Sequence, residues 1–401
     1  MAVKIVRQPN KIALLGAPTS AAALSLGHEK APAALRTAGL VDRLRSVGYE
    51  VADLGDDPPQ LFQRDEESPR ARNLPRILAA IEALKPRVEQ AVKSAALPLI
   101  LSGDCSIALA TVAGVRRYFR NVGMIYMDRD ADLNTPATTT SGCVDGMVVS
   151  HLSGRGAAEL VRFWGEPPLV REPDMALFGV DRLDPPEEQL LCQSPLRTYL
   201  ARDVQRMGAA AAAQAAVDRI HSSSHEFILH FDVDVISDFQ ATNFPGSGGL
   251  SLEEVREALL VFVQQKHLAA LEVAAYNPAK DPDGTAAKLL VDLLADVLEK
   301  RLETLKAAAT PAVQPGHSAS AAVAGSAHQS APALPGTSSV PSHSSSEELS
   351  EKSTAADLPG TAAGEAWSSE SLENSDESEP SGPENRATEA SGEQTREQEG
   401  S

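Results

Sequence analysis

Short apolar runs alternate with stretches of helical spacing over residues 11–305 of this 401-residue chain. The runs that predict buried strands are 11–15, 49–54, 97–101, 124–127, 175–178, 227–231 and 268–273. The stretches with helical periodicity are 31–46, 74–94, 107–118, 205–222, 252–266 and 286–305. Strands that alternate with helices are typical of a parallel sheet covered by helices on both faces. The pattern therefore predicts an α/β protein, a three-layer α/β/α fold with a mostly parallel sheet.

The end of the chain has a different composition. Residues 307–401 are rich in Ala, Ser, Gly, Pro and Glu and contain no Ile, Phe, Tyr, Met or Cys. They hold fifteen acidic and three basic residues, so a net charge of −12 out of the chain's −19 falls on this segment. Such a segment cannot bury enough apolar surface to offset its ordering entropy. We therefore predict an α/β domain at 1–306 and a disordered acidic tail at 307–401, which is a solvating extension or, alternatively, a docking arm.

Composition and motifs exclude several classes of protein. The acidic balance without a basic patch argues against nucleic acid as a partner. The chain has neither a run of about 18 apolar residues nor a charged start followed by an apolar segment, which argues against a membrane association. Three cysteines without paired spacing favour a reducing compartment. We therefore expect a soluble, cytoplasmic protein.

Two runs of aspartates stand at predicted strand ends. Asp128, Asp130 and Asp132 follow the apolar run 122–126, and Asp232 and Asp234 follow a second one. Alternate residues of an extended segment share one face, so these carboxylates should crowd together. Like charges this close are unfavourable unless a cation neutralises them or some take up protons. In parallel sheets, ligands bind at the carboxyl ends of the strands, which is where both runs fall. The pattern indicates a bound metal ion.

Six segments of the chain resemble the motifs of the arginase, or ureohydrolase, family, which includes arginase and agmatinase. The resemblance covers roughly residues 10–300. The segments are IALLGAP at 12–18 with KAPAALR at 30–36, SGDCS at 102–106 (similar to GGDHS), DRDADLNTP at 128–136 (similar to DAHxDxN[T/S]P), SGCVDGM at 141–147 (similar to SGxxHGx), HFDVD at 230–234 (similar to SFDVD) and AYNP at 275–278 (similar to ExNP).

The resemblance implies a centre with two Mn²⁺ ions and a bridging hydroxide that attacks a guanidinium carbon. The positions that match the family's metal ligands are Asp128, Asp130, Asp132, Asp232, Asp234 and Cys105, of which Asp130 and Cys105 stand where the family has histidines. Asp145 stands in the place of a histidine credited with proton transfer. Ala275 stands in the place of the glutamate that pairs with the guanidinium. The positions that match contacts to the amino-acid end of the substrate are Asn134, Ser141 and Asp184.

Several of these positions allow two interpretations. Cys105 is either a metal ligand or a small buried thiol beside the site. Asp145 is either a proton shuttle or a solvated residue at the cleft rim. By strand alternation, Arg129 should point away from the first aspartate run, toward a helix or a subunit boundary; alternatively it folds back and neutralises the aspartates. His230 shares the face of Asp232 and could reach the cluster, whereas Glu272 should lie on the face opposite to Ala275 and not replace the missing carboxylate.

The functional prediction is a divergent hydrolase of the ureohydrolase family. It would cleave a C–N bond of a guanidino or linear amidine compound, with water activated by one or two Mn²⁺ ions or another divalent cation. The alternatives are a catalytically inactive relative with a structural or regulatory role and a metal-binding protein without hydrolase activity. By resemblance alone, we also expect a homo-oligomer, a trimer or hexamer.

Overall fold

Eight parallel strands form one sheet in the computed structural model of this chain, which describes residues 5–309. The strands are β1 (Lys11–Ala17), β2 (Glu50–Asp56), β3 (Leu97–Ser102), β4 (Val122–Met127), β5 (Met175–Val180), β6 (Arg197–Leu200), β7 (Glu226–Asp232) and β8 (Leu268–Ala274). Their order in the sheet is β2-β1-β3-β8-β7-β4-β5-β6, and all seven pairings are parallel.

Helices cover both faces of the sheet. They are α1 (Ala31–Thr37), α2 (Leu40–Ser46), α3 (Leu74–Lys93), α4 (Ala108–Arg116), α5 (Val148–Leu152), α6 (Ala158–Arg162), α7 (Pro185–Gln193), α8 (Ala201–Met207), α9 (Ala209–His221), α10 (Leu252–Val263) and α11 (Thr285–Ala309). Apolar residues of α1, α2 and α8 to α11 pack on one face. Those of α3 to α6 pack on the other face. The predicted three-layer α/β/α fold is confirmed.

Strand alternation explains why both layers form. On β1, Ile12 and Leu14 belong to one core, and Ala13 and Leu15 belong to the other. A strand of a parallel sheet that is buried on both faces reads as a continuous apolar run, because each face needs its own set of apolar side chains. The two edge strands differ from this pattern: most residues of β2 are exposed, and β6 has mixed burial.

The structure differs from the predicted elements at several places. The short helices α5, α6 and α7 were not predicted. β6 was not predicted, since four residues with mixed burial carry little periodicity. The predicted helix 31–46 is two helices, because Gly39 has a left-handed φ of 92° that interrupts the helix. Gly208, with φ 83°, likewise divides the predicted helix 205–222 into α8 and α9.

The order of the central strands places the functional loops together. β3, β8, β7 and β4 are adjacent, although they come from distant parts of the chain. Their carboxyl ends lead into Cys105, Ala275, Asp232 and Asp128, respectively. The residues that match the family's site therefore lie at the carboxyl ends of four neighbouring central strands.

The predicted boundary at residue 306 falls inside α11, which continues to Ala309. The rest of the predicted acidic tail lies outside the described residues, so that prediction stays untested. Within residues 5–309, no helix is long and apolar enough to cross a membrane.

Candidate metal centre

The two aspartate runs form the same local turn. Asp128 Oδ1 accepts a hydrogen bond from Asp130 N at 2.7 Å, and Asp232 Oδ1 accepts one from Asp234 N at 2.7 Å. A carboxylate that binds the backbone two residues later fixes a turn after the strand. Each turn holds its aspartates at the strand end, so the sequence itself shapes both sides of the site.

These turns line a cavity of about 550 Å³ at the carboxyl ends of the strands. Every residue that the sequence proposed for the site lines it: Cys105, Asp128, Asp130, Asp132, Asn134, Ser141, Asp145, Asp184, Asp232 and Asp234. His28, Arg182, Glu187, Phe244 and Ala275 also contribute to its wall. The topology therefore brings together residues that are more than 100 positions apart.

Metal-ligating side chains of the cavity, together with the buried His230, form two groups with the spacing of metal ligands. One group is Cys105, Asp128, His230 and Asp232, whose ligand atoms all lie within 4.8 Å of one another. The other is Asp128, Asp130 and Asp234. Asp132 belongs to neither group, and its Oδ2 accepts a hydrogen bond from the Tyr126 hydroxyl. Asp128 is common to both groups, as a bridging carboxylate would be.

Burial and mutual repulsion disfavour the ionised forms of these groups. Burial, followed by the neighbouring carboxylates, raises the pKa of Asp128 and of Asp232 well above the ordinary value. Burial and Asp145 do the same to the pKa of Asp132. Burial, then Asp145 and Asp232, raises the pKa of the Cys105 thiol, which lies 3.0 Å from Asp232 Oδ2. A site that resists its own negative charge is one that a cation would stabilise.

The donor set fits a divalent cation. Two buried polar atoms at the site, His230 Nε2 and Asp234 Oδ1, have no hydrogen-bond partner among the described residues. A buried polar group without a partner costs free energy, about 1–3 kcal/mol. Carboxylate oxygens, a thiol sulfur and an imidazole nitrogen are all metal-ligand types. The residues present can therefore hold a metal ion.

Arg182 was not predicted as a site residue. It lies beside the second group, that of Asp128, Asp130 and Asp234. Its guanidinium pairs with both carboxylate oxygens of Asp130, with Nε at 2.7 Å from Oδ1. Its Nη2 also lies 3.3 Å from Asp234 Oδ2. Burial and Asp130 raise the pKa of Asp234 to about 6, while the arginines act in the opposite direction. A guanidinium thus supplies positive charge beside two carboxylates that match metal ligands of the family.

Arg129 departs from the expected orientation. It is buried, its Nη2 lies 3.7 Å from Asp234 Oδ2, and it donates a hydrogen bond to the Phe244 carbonyl. It contacts Asp234 of the second aspartate run, and not the helix or subunit boundary that strand alternation suggested. The loop after β7 folds over the strand ends and places Phe244 against it, which strand alternation could not foresee.

Asp145 lies on the cavity floor and not at a solvated rim. It is buried, and its Oδ1 accepts a hydrogen bond from Cys105 N at 2.7 Å. Burial, followed by repulsion from Asp104, raises its pKa to about 8. A carboxyl with this pKa carries a proton at neutral pH, which a solvated aspartate does not.

The mouth of the cavity is polar. Asn134 Nδ2 donates to Asp184 Oδ2 at 2.8 Å, and Ser141 lies on the same wall. Glu187 was not predicted; its two oxygens accept hydrogen bonds from Leu133 N and Asp184 N. A Glu three residues after Asp184 at the start of a helix is the signal that would have found it, since this is a capping box. Glu187 thereby ties the first aspartate loop to α7.

Ala275 and Glu272 lie as the sequence indicated. Ala275 lines the cavity with a left-handed φ of 66° and offers no carboxylate. Glu272 does not line the cavity; it is buried behind His230 and binds that ring at 2.9 Å. Glu272 therefore does not replace the missing guanidinium partner.

The fold and the site define a class of protein, an all-parallel α/β protein with a carboxylate-rich centre at the strand ends, and comparisons with known proteins identify its family. The arginase family model matches residues 10–299. The arginase of Bacillus subtilis (strain 168) is 30% identical over 295 residues, which cover 73% of this chain and 98% of the relative. That of Bacillus caldovelox is 29% identical over 295 residues, 73% of this chain and 99% of the relative.

Solved structures agree with the sequence comparisons. The crystal structure of the Bacillus subtilis arginase matches with a TM-score of 0.66 at 29% identity, and the match covers 72% of this chain and 98% of that one. The Bacillus cereus arginase matches with a TM-score of 0.66 at 28% identity, over 72% of this chain and 98% of that one. The chain belongs to the arginase family, and it carries a buried cluster of metal-ligating groups in an arginase-like fold.

Proposed function

We propose that this protein is a metal-dependent hydrolase that cleaves a C–N bond of a small guanidino or linear amidine compound. The observation that carries the proposal is the cavity, which combines metal-ligating groups on its floor with polar side chains at its mouth. Family membership supports the reaction class. The altered residues argue that the substrate differs from that of an ordinary arginase.

The metal would be held by Asp128 and Asp232 with their neighbours, and when bound it would supply a water polarised for attack at neutral pH. Asp145 would hold the proton. Its buried carboxyl lies beside Cys105 at the cavity, where it can donate a proton to the leaving nitrogen as the C–N bond breaks. The attacking water gives up a proton in the same reaction, which returns the carboxyl to its starting state.

Substrate recognition would fall to the mouth of the cavity. Asn134, Ser141 and Asp184 offer an amide, a hydroxyl and a carboxylate to the polar end of a substrate. At the other end, Ala275 leaves a planar cation without its bidentate carboxylate, a loss of about 1.5–3 kcal/mol for a charged hydrogen bond. We infer that the reacting group is held less tightly than a guanidinium in an ordinary arginase, or is smaller or neutral.

One observation favours a second candidate function, that of a catalytically inactive member of the family. Arg182 pairs with Asp130 and Asp234, two of the positions that match the family's metal ligands. A centre that has exchanged one metal for a guanidinium has less power to polarise water. The fold would then serve assembly, regulation or ligand binding. The resemblance also predicts a trimer or hexamer, and light scattering of the purified protein would measure the oligomeric state.

The test is metal content and product release by the purified full chain. After incubation with Mn²⁺ or Zn²⁺, urea release is measured with arginine, agmatine and guanidinobutyrate, and ammonia release with simple amidines. Turnover that requires metal and is lost in Asp145→Asn, with metal still bound, supports the hydrolase. Bound metal without turnover on any of these compounds supports the inactive alternative.

A further inference from the structure

We propose that His230 supplies the nitrogen ligand of a single metal site, completed by Cys105, Asp128 and Asp232, and that this site prefers Zn²⁺ or a similar borderline cation to Mn²⁺. The inference rests on the metal dependence of the proposed function but not on its hydrolytic step. The family motif has a serine where this chain has His230, so the histidine adds a ligand to the site instead of preserving one.

The geometry places the His230 ring at the cluster. One ring nitrogen of His230, Cys105 Sγ and one oxygen from each of Asp128 and Asp232 all lie within 4.8 Å of one another, and all four residues are buried. His230 is fully inaccessible to solvent, and its Nε2 has no hydrogen-bond partner among the described residues. A metal ion at the centre of the group would satisfy that nitrogen and neutralise the carboxylates together.

The other ring nitrogen is held by a carboxylate. Nδ1 of His230 lies 2.9 Å from Glu272 Oε1, and the Thr111 hydroxyl donates to the second oxygen of the same carboxylate. The strand register makes this row, since Tyr126 of β4 pairs with His230 of β7, which pairs with Glu272 of β8. Tyr126 also stacks on the imidazole, with ring centroids 4.2 Å apart and planes 7° from parallel.

These contacts determine which nitrogen of the His230 ring is available to a metal ion. With Nδ1–H donated to Glu272, Nε2 carries the lone pair and is the ring nitrogen left to bind a metal ion. A histidine that donates its other N–H to a carboxylate is the usual arrangement for a metal ligand, since the carboxylate orients the ring and raises its basicity. Glu272 is therefore a positioning residue, one that acts through His230 and does not itself reach the cavity.

The ligand types decide the metal. A thiolate and an imidazole together favour Zn²⁺, Co²⁺ or Fe²⁺ over Mg²⁺ and Mn²⁺, whose preferred ligands are oxygens. The oxygen-only group of Asp128, Asp130 and Asp234 would suit Mn²⁺, but its last two members pair with Arg182. One ion at the mixed-ligand group is the arrangement that the side chains favour.

The experiment measures metal binding by the full chain after removal of metals with a chelator. Zn²⁺, Co²⁺ and Mn²⁺ are titrated in turn, and the Co²⁺ form is examined for the thiolate-to-metal charge-transfer band. We expect one ion per chain, tighter binding of Zn²⁺ and Co²⁺ than of Mn²⁺, and a charge-transfer band that Cys105→Ser removes. Cys143→Ser, a buried thiol on the same cavity wall but outside the group, is the matched control and should keep the band.

Two variants test the histidine. His230→Asn should weaken Zn²⁺ binding by at least tenfold, whereas His28→Asn, a buried histidine of the same cavity outside the group, should not. Glu272→Gln should weaken Zn²⁺ binding by about 10–100-fold while the thiolate band remains, as expected for loss of a carboxylate behind a metal-bound imidazole. Circular dichroism of the metal-free variants shows whether each is folded.

Unchanged Zn²⁺ affinity in folded His230→Asn would overturn the inference. If that variant does not fold, X-ray absorption at the zinc edge of the unaltered protein decides: one sulfur and an imidazole support the site, and a shell of oxygens alone refutes it. Zn²⁺ bound through His230 without turnover would defeat the hydrolase proposal only. Turnover with metal bound solely through carboxylates would defeat this inference only.

Discussion

Replacing Arg182 with methionine tests whether its guanidinium stabilises the metal-free site and competes with a metal ion there. Arg182 forms a bidentate pair with Asp130 and a 3.3 Å contact with Asp234. Methionine retains much of the side-chain length and the packing on Phe244 but removes the charge. The variant should be less stable than the unaltered protein without metal, and Mn²⁺ should stabilise it more.

The magnitude follows from exposure. The side chains of Arg182 and Asp130 are 37% and 32% exposed, so solvent screens this pair and its loss costs about 1 kcal/mol. Asp234 is only 3% exposed and loses one of its two cationic neighbours, which adds about 1–2 kcal/mol. A total of about 2–3 kcal/mol corresponds to a fall in Tm of about 3–5 °C for a domain of this size.

The gain from metal is the second half of the prediction. Without the Arg182 guanidinium, Asp128, Asp130 and Asp234 would form a group of oxygen ligands with Arg129 as the remaining cationic neighbour of Asp234. A cation present at about 100 times its Kd stabilises the folded state by about 2.7 kcal/mol, which would offset the loss. Mn²⁺ should therefore restore the Tm of Arg182→Met and bring one more ion per chain.

The assay is thermal and urea unfolding with and without Mn²⁺, with ions counted by atomic spectroscopy. Arg256→Met is the control, because Arg256 is 35% exposed and pairs with Asp296 at 2.8 Å on another part of the surface. It should lower stability by no more than about 1 kcal/mol and should not respond to Mn²⁺. The reasoning fails if metal-free Arg182→Met is as stable as the unaltered protein, or if Mn²⁺ stabilises both equally.

Two further predictions concern the cavity wall and acid stability. Ala275→Glu should tighten binding of arginine or agmatine by about 10–100-fold, measured calorimetrically against a neutral Ala275→Gln control, because it restores a charged hydrogen bond; equal affinity in both variants would contradict this. Burial lowers the pKa of His151 from 6.5 to about 4. The unfolded chain therefore binds the proton first, so this contribution, about 3 kcal/mol, is full above pH 6.5 and is lost as the pH falls toward 4. Urea unfolding of His151→Gln should show a shallower loss over this range, and an unchanged slope would refute it.

The geometry of His151 gives a structural reason for that pH dependence. Its Nδ1 lies 2.7 Å from the Met147 carbonyl, and Ala157 N donates to its Nε2 at 3.1 Å. The neutral ring satisfies both contacts, whereas a second proton on Nε2 would face another donor. The loss of stability in acid thus depends on a hydrogen-bond arrangement as well as on burial.

The sequence by itself determined the kind of fold and the location of the site. Short continuous apolar runs such as 122–126 predict strands buried on both faces, and the aspartates directly after them are then expected at a strand end. Alternation also placed His230 on the face of Asp232. These inferences hold because the period of a strand and the turn after it depend on neighbours only a few residues away.

The tertiary structure decided what those residues meet. Arg182 reaches Asp130 because β5 lies beside β4, and Glu272 reaches His230 because β8 lies beside β7 in one particular register. Strand order and register follow from how all the helices pack on the sheet, which no local pattern records. The aspartate runs thus predict a neighbouring cation from the sequence alone. Whether that cation is a metal ion or a guanidinium depends on contacts between strands that are distant in the sequence.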